Sequence, residues 1–149
     1  MAGIDAERGL SPAVNFVLVT GISLLLIGSL FTGISGVLED RREAAVDDGL
    51  EVTGHQLAAD IAAADRAAQT AGEGHITVES RLPTRIAGTR YSVEIRRDGS
   101  SVVLLLRSDD PAATARTTVN NETAIETGTY NGGAIRLDWS GDTIEVNDV

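Results

Sequence analysis

The chain has no cysteine and no lysine, and all 12 of its basic residues are arginine. Without cysteine there is no disulfide framework, zinc–thiolate site, iron–sulfur cluster or thiol nucleophile. Without lysine there is no Walker A phosphate loop, Schiff-base chemistry or lysine general base. Positive charge is scarce as well, since 22 acidic residues set the formal net charge at −10. That balance argues against a nucleic-acid partner, because no basic patch is left to neutralise phosphates. A length of 149 residues holds one ordinary domain, or a small domain with an extension, and no large multi-domain enzyme.

What is present divides sharply along the chain, and a mean hydropathy close to zero hides the division. Residues 10–38 form a run of 29 without a charge, of which 17 are aliphatic or aromatic and four are glycine. A helix of that length reaches roughly 43 Å at ~1.5 Å per residue, against a hydrocarbon core of ~30 Å. A secretory signal peptide would carry a basic leader, an apolar stretch of about 7–15 residues and a small-residue cleavage site after it. The leader here holds Asp5 and Glu7 beside Arg8, and the run is too long. A soluble core helix is the other alternative, but so long an uncharged run exceeds what a chain of this size can cover. Basic residues do not set an orientation, because Arg8 lies on one side and Arg41 and Arg42 on the other, all mixed with acids.

After Leu38 the chain turns to Glu39-Asp40-Arg41-Arg42-Glu43 and then to an alanine-rich stretch reaching about Ala71. Val46, Leu50, Thr53, Leu57, Ile61, Ala64 and Ala68 follow the helical period, which predicts an amphipathic helix continuing the apolar one. Gly49 and Gly54 weaken it by about 1 kcal/mol each relative to Ala and are places for a local bend. Gly72-Glu73-Gly74 supplies the stop.

From His75 the apolar period becomes two. Ile76, Val78 and Leu82, then Tyr91, Val93 and Ile95, alternate with polar residues, and Val102 to Leu106 is continuously apolar. Asp98-Gly99 between the last two runs predicts a hairpin with Ile95 facing Val102, Val93 facing Leu104 and Tyr91 facing Leu106. Ser108-Asp109-Asp110-Pro111 ends the strand, and further strands are expected near 115–119, 123–127, 134–139 and 143–146. A Gly141-Asp142 turn sets Trp139 opposite Ile144 and Leu137 opposite Val146. The β region has three aromatics and is too small to bury a core alone, so it needs the alanine-rich helix face as the other half.

The expected fold is therefore α+β: a long N-terminal helix, membrane-spanning in its first half and amphipathic in its second, packed on a small antiparallel β-sheet. The expected segments are residues 1–9 as leader, 10–38 as apolar helix, 39–73 as amphipathic helix and 74–149 as sheet domain.

Arg8-Gly9-Leu10-Ser11-Pro12, a short charged leader running straight into the apolar helix, resembles the start of archaeal type IV pilin precursors. Leu82-Pro83-Thr84-Arg85-Ile86-Ala87-Gly88-Thr89-Arg90-Tyr91 is similar to a stretch in haloarchaeal pilin-like families. The resemblance implies cleavage between Gly9 and Leu10 by a membrane-embedded prepilin peptidase, a lollipop-shaped subunit, and assembly with copies of itself or related pilins on a pilus assembly platform. Bacterial-type pilins carry glutamate at the fifth mature position, where this chain has Val14. Gly28, Thr32 and Gly36 recur every fourth residue on one helix face, with Ser29 and Gly33 beside them. Small residues so spaced let helix backbones approach closely in an apolar medium, although glycine is also simply more frequent in membrane helices. An acidic chain with arginine in place of lysine resembles proteins of halophilic archaea, whose surface carboxylates hold water in strong salt. GC-rich codon usage in an ordinary acidic protein is the alternative.

Other candidates have plainer readings. Asn121-Glu122-Thr123 is an N-glycosylation sequon at an expected turn, open to modification if Asn121 is exposed. His55 and His75 lack any triad or HExxH companion and read as surface residues. Asp47-Asp48 and Asp109-Asp110 lack calcium-loop spacing and read as solvated faces, and Gly128 to Gly133 reads as a turn. No catalytic residue, metal ligand or cofactor site is expected. The expected role is a structural subunit of a cell-surface filament, its sheet domain extracellular. The alternatives are a membrane-anchored surface module that never polymerises and, less favoured for want of clustered titratable groups, a membrane-tethered enzyme.

Overall fold

A computed structural model of the chain describes residues 5–72 and 74–149, with the side chains of 5–11 and 33–35 outside the description. The elements in order are α1 (Asp5–Ala71), β1 (Ile76–Arg81), β2 (Tyr91–Asp98), β3 (Ser101–Asp109), β4 (Ala112–Asn120), β5 (Ala124–Ile125), β6 (Gly128–Asn131), β7 (Ala134–Trp139) and β8 (Thr143–Asp148). The fold class is α+β, as expected. Two compact units meet between Asp40 and Arg41, inside the charged run that ends the apolar segment.

Within the unit 41–149, α1 buries Val46, Leu50, Thr53, Leu57, Ile61, Ala64 and Ala68, the same seven positions that the helical spacing picks out. All but Thr53 join one core with Val93, Ile95, Leu104 and Leu106 from one sheet and Ile135, Leu137, Trp139, Ile144 and Val146 from the other. Each fully buried Leu or Ile side chain contributes about 1.5–3 kcal/mol. Gly72, with φ of 61°, ends the helix in the left-handed conformation that suits the position after the last turn. Glu73, part of the expected stop, lies outside the described residues.

The strands form two four-stranded sheets, β1-β7-β8-β5 and β4-β3-β2-β6, where one small sheet is expected, and β5 runs parallel to β8. Eight strands side by side would span roughly 38 Å at ~4.8 Å each, far wider than a helix of ~10 Å. Two sheets bring the apolar faces of both hairpins to the same helical stripe. The β7–β8 register has the expected pairs, Trp139↔Ile144 and Leu137↔Val146. The β2–β3 register differs: Ile95 faces Leu104, Val93 faces Leu106 and Asp98 faces Ser101, which leaves Gly99-Ser100 as the loop. Gly99 has φ of 61°, and a glycine in that conformation at the first loop position makes a type II′ turn, where Asp-Gly in the type I′ pattern would place it second. The two-residue shift keeps every side chain on its face, so the buried set is unchanged.

Residues 128–133 are not simply a turn. Gly128–Asn131 is β6, pairing with β2 from Ser92↔Asn131 to Ile95↔Gly128. Its Tyr130 packs against the core, and the pairing covers an edge of β2 that would otherwise stay open. The expected strand near 123–127 shortens to β5, and the one near 115–119 lengthens to β4.

Gly49 and Gly54 do not break α1. They lie where the helix comes closest to its neighbours: a Cβ on Gly49 would sit 2.3 Å from Cγ2 of Ile86, and one on Gly54 would sit 2.9 Å from Oγ1 of Thr117. Gly49→Ala gains about 1 kcal/mol of helix propensity, but the overlap with a β-branched neighbour costs about 1–3 kcal/mol. The variant is expected to lower the thermal midpoint of the detergent-solubilised chain. Adding Ile86→Leu, which removes the branch at Cβ, is expected to recover at least half of the loss. An unchanged midpoint in the single variant would refute the close-packing account.

Candidate functional site

The first candidate site is the apolar part of α1. Every described side chain from Pro12 to Leu38 is exposed, including Phe16 at 72% and Leu25 at 75%. Soluble chains do not leave contiguous apolar surface of that extent in water without a partner for it. By length and composition α1 can cross a membrane. The hydroxyls of this stretch suit such surroundings: Ser23 donates to the Val19 carbonyl at 2.8 Å, Ser29 to that of Leu26 at 2.9 Å and Thr32 to that of Gly28 at 3.0 Å. A hydroxyl satisfied inside its own helix avoids the cost of standing bare in an apolar medium.

The glycines of α1 fall into two groups. Gly49 and Gly54 are pressed against the sheet domain, whereas a Cβ on Gly21, Gly28 or Gly36 would meet nothing within 4 Å. Each helical glycine costs about 1 kcal/mol relative to Ala, and among the described residues no packing contact recovers that cost at Gly28 or Gly36. Thr32 stands between them, one turn from each. The side chains of Arg8, Leu10 and Ser11 and all of residues 1–4 lie outside the description, so the leader cleavage site between Gly9 and Leu10 is described only as backbone within α1.

A family model matches residues 5–147, running through the apolar helix and both sheets. The chain belongs to DUF7266, a family of unknown function. The family model thus covers the apolar helix as well as the sheets. No curated protein and no solved structure matches the chain.

Leu82 to Tyr91, the second segment carrying a resemblance, forms a latch in this DUF7266 chain. Leu82, Ile86, Thr89 and Tyr91 are buried. Ala87 and Gly88, with φ of 47° and 81°, form the tip of a tight turn closed by Ile86 N–H to Thr89 O at 2.9 Å and Thr89 N–H to Ile86 O at 2.8 Å. Ile86 faces Gly49 of α1. Thr89 Oγ1 donates to the Asp110 carbonyl at 2.9 Å and accepts from Arg42 Nη2 at 3.3 Å. Tyr91 Oη donates to the Pro83 carbonyl at 2.7 Å. Burial pushes its phenol up to about 12, and a bond from the Gly133 backbone offsets part of the rise.

Asn121 is half-buried, not exposed. Its Nδ2 donates to the Thr123 carbonyl at 2.5 Å, and its Oδ1 is buried without a partner. The cause is Asp65, which the sequence pattern does not single out. This carboxylate, 5% exposed, accepts from Glu122 N–H at 3.2 Å, Thr123 N–H at 2.7 Å and Gln69 Nε2 at 2.9 Å, drawing the β4–β5 loop onto α1. Burial raises its pKa, but the bonds from Thr123, Glu122 and Gln69 outweigh that and hold it below the usual carboxylate range. A second helix carboxylate, Asp60, accepts from the fully buried Ser80 of β1 at 2.5 Å. The available signal was an acid at position 65, inside the buried stripe between Ala64 and Ala68.

The remaining candidates are surface features. His55 lies 3.6 Å from Glu51, and His75 lies 3.7 Å from Asp138. Asp47, Asp48, Asp109 and Asp110 are exposed. Among the described residues no group of three or more His, Asp or Glu side chains is placed to hold a metal ion.

Proposed function

We propose that this chain is a type IV pilin-like subunit: inserted in the membrane as a precursor, cleaved between Gly9 and Leu10 by a prepilin peptidase, and assembled through its apolar helix into a cell-surface filament. The observation that carries this reading is the exposed apolar segment whose glycines have no packing role within the chain. A helix that exchanges lipid for neighbouring copies of itself needs an apolar surface all round and a face of small residues for close approach. Gly28, Thr32 and Gly36 supply that face. Related pilins and a membrane assembly platform are the further partners this role requires, and no catalytic group takes part.

The sheet domain is the exterior part in this reading. Residues 39–149 carry 20 acids against 11 arginines, a surface that stays hydrated in concentrated salt and suits a halophilic archaeon. A membrane-anchored surface module that never polymerises would need the same apolar length but neither the leader motif nor the small-residue face.

The mature N-terminus tests the choice. Intact mass of the protein recovered from membranes is expected to correspond to a chain beginning at Leu10 and to shift to the uncleaved mass in the Gly9→Val variant. A mature protein retaining Met1 or Ala2 would overturn the pilin reading and favour the simple anchor.

A further inference from the structure

The latch formed by Leu82 to Tyr91 carries two arginines that its packing does not use. Ile86 and Thr89 pair across the Ala87-Gly88 turn, and both are buried. Arg85 and Arg90, the next residue out on each arm, are exposed. Both line one cleft of about 360 Å³, together with Thr84, Tyr91, Asn131 and Gly132. Arg81, Arg96, Arg107 and Arg116 each stand within ion-pair distance of a carboxylate. Among the described residues no carboxylate pairs with Arg85 or Arg90, and no acid lines the cleft. Arg85 Nη1 donates to the Gly88 carbonyl at 3.4 Å. The acidic β3–β4 turn meets the latch through a backbone group, the Asp110 carbonyl that accepts from Thr89.

Like charges set across an antiparallel pair from each other are destabilising unless a counter-charge lies between them. Residues 39–149 hold 20 acids, so the want of one here comes from placement and not from scarcity. The cleft is also fixed in shape before anything enters it. A Cβ on Gly132 would sit 2.4 Å from Cε1 of Tyr91, so the backbone after β6 lies directly on that ring. The Gly132 N–H donates to the Tyr91 carbonyl at 2.9 Å, and the Tyr91 hydroxyl is tied to the Pro83 carbonyl at 2.7 Å. Backbone held in this way presents both arginines without a rearrangement on binding, which spares a ligand part of the ordering cost.

We propose that this cleft binds an acidic sugar, its carboxylate or sulfate held between Arg85 and Arg90. A guanidinium is planar, permanently charged and donates in pairs, the geometry that such an oxyanion accepts. Thr84 and Asn131 narrow the class of ligand. Neither side chain makes a hydrogen bond among the described residues, and each offers an acceptor beside its donors. A bare inorganic anion uses donors alone, whereas a sugar hydroxyl uses both. A volume near the ~300 Å³ lower bound of ligand clefts suits one sugar ring. All six lining residues belong to the 41–149 unit, so the site does not depend on whether the chain polymerises.

Titration calorimetry on the detergent-solubilised full-length chain in ~1 M potassium chloride tests the cleft, since a Debye length of ~3 Å leaves only charges in direct contact. Glucuronate and glucose 6-sulfate are expected to bind, with glucose and inorganic sulfate each at least tenfold weaker. Arg85→Gln combined with Arg90→Gln is expected to weaken glucuronate binding at least tenfold. Arg66→Gln, at an exposed arginine of α1, is expected to leave it within twofold. Asn131→Asp is expected to weaken glucuronate binding at least tenfold and to raise the thermal midpoint, because it supplies within the chain the negative charge that the two arginines lack. Failure of both acidic sugars to bind, binding indifferent to the double variant, or inorganic sulfate bound as tightly as the sugars would overturn the proposal. So would a midpoint that Asn131→Asp leaves unchanged or lowers.

Discussion

Gly28→Leu is expected to leave the protein membrane-inserted and cleaved after Gly9, yet to reduce surface filaments at least tenfold. The substitution cannot act through the subunit's own fold. A Cβ at Gly28 meets nothing within 4 Å, and leucine raises helix propensity by about 0.8–1 kcal/mol while making the segment more apolar. Insertion should improve slightly if it changes at all. What the larger side chain removes is close approach by a second helix, which small residues spaced by four permit and a branched one blocks. Gly36→Leu is expected to behave alike. Ser23→Leu, about 140° around the helix from Gly28 at ~100° per residue, is expected to leave filaments within twofold of normal. Filaments counted by electron microscopy, with membrane and processed fractions measured by immunoblot, separate the outcomes. Normal filament abundance from Gly28→Leu would remove the packing argument.

Asp65→Ala is expected to destabilise the 41–149 unit by about 2–4 kcal/mol. The variant strips a buried acceptor from the backbone N–H groups of Glu122 and Thr123 and from Gln69. Hydrogen bonds to a charged acceptor contribute about 1.5–3 kcal/mol net, partly offset by the better helix propensity of alanine. Against a total of about 5–15 kcal/mol for a domain, that loss should appear as a clear fall in denaturant midpoint and as faster proteolysis at the β4–β5 loop. The acid limb gives an independent reading. Because the folded carboxyl is held below the ordinary carboxylate range, its contribution is complete above the unfolded pKa and is lost as pH falls through the folded one. The native chain should therefore lose stability more steeply below about pH 4 than Asp65→Asn, which has no carboxyl to protonate. Matching acid limbs would show that the carboxylate does not hold the loop.

Much of the fold was legible because it rests on periodicity. The seven buried positions of α1 follow from a period of 3.6, and the inward faces of β2, β3, β7 and β8 from a period of two. The β7–β8 register followed from turn chemistry alone. The β2–β3 register did not, because Asp98-Gly99 and Gly99-Ser100 are both acceptable loops and the shift between them leaves every residue on the same face. β6 was hidden by composition: Gly128, Thr129 and Asn131 carry turn chemistry, and pairing to β2 overrides it.

The candidate site divides in the same way. An uncharged run of 29 residues announces an apolar helix whatever surrounds it, since apolar length is a one-dimensional property. The leader motif and the four-residue spacing of Gly28, Thr32 and Gly36 are equally local. Sequence could not tell that Gly49 and Gly54 are packed while Gly28 and Gly36 are open, because glycines of identical local pattern differ only in what a remote residue such as Ile86 places beside them. Nor could it tell that Asp65 reaches across 57 residues to a backbone N–H, or that Arg96, Arg107 and Arg116 from β2, β3 and β4 meet Glu94 and Asp98 on one sheet face. Those facts belong to strand pairing and to the layer order of helix on sheet, and separation along the chain does not encode them.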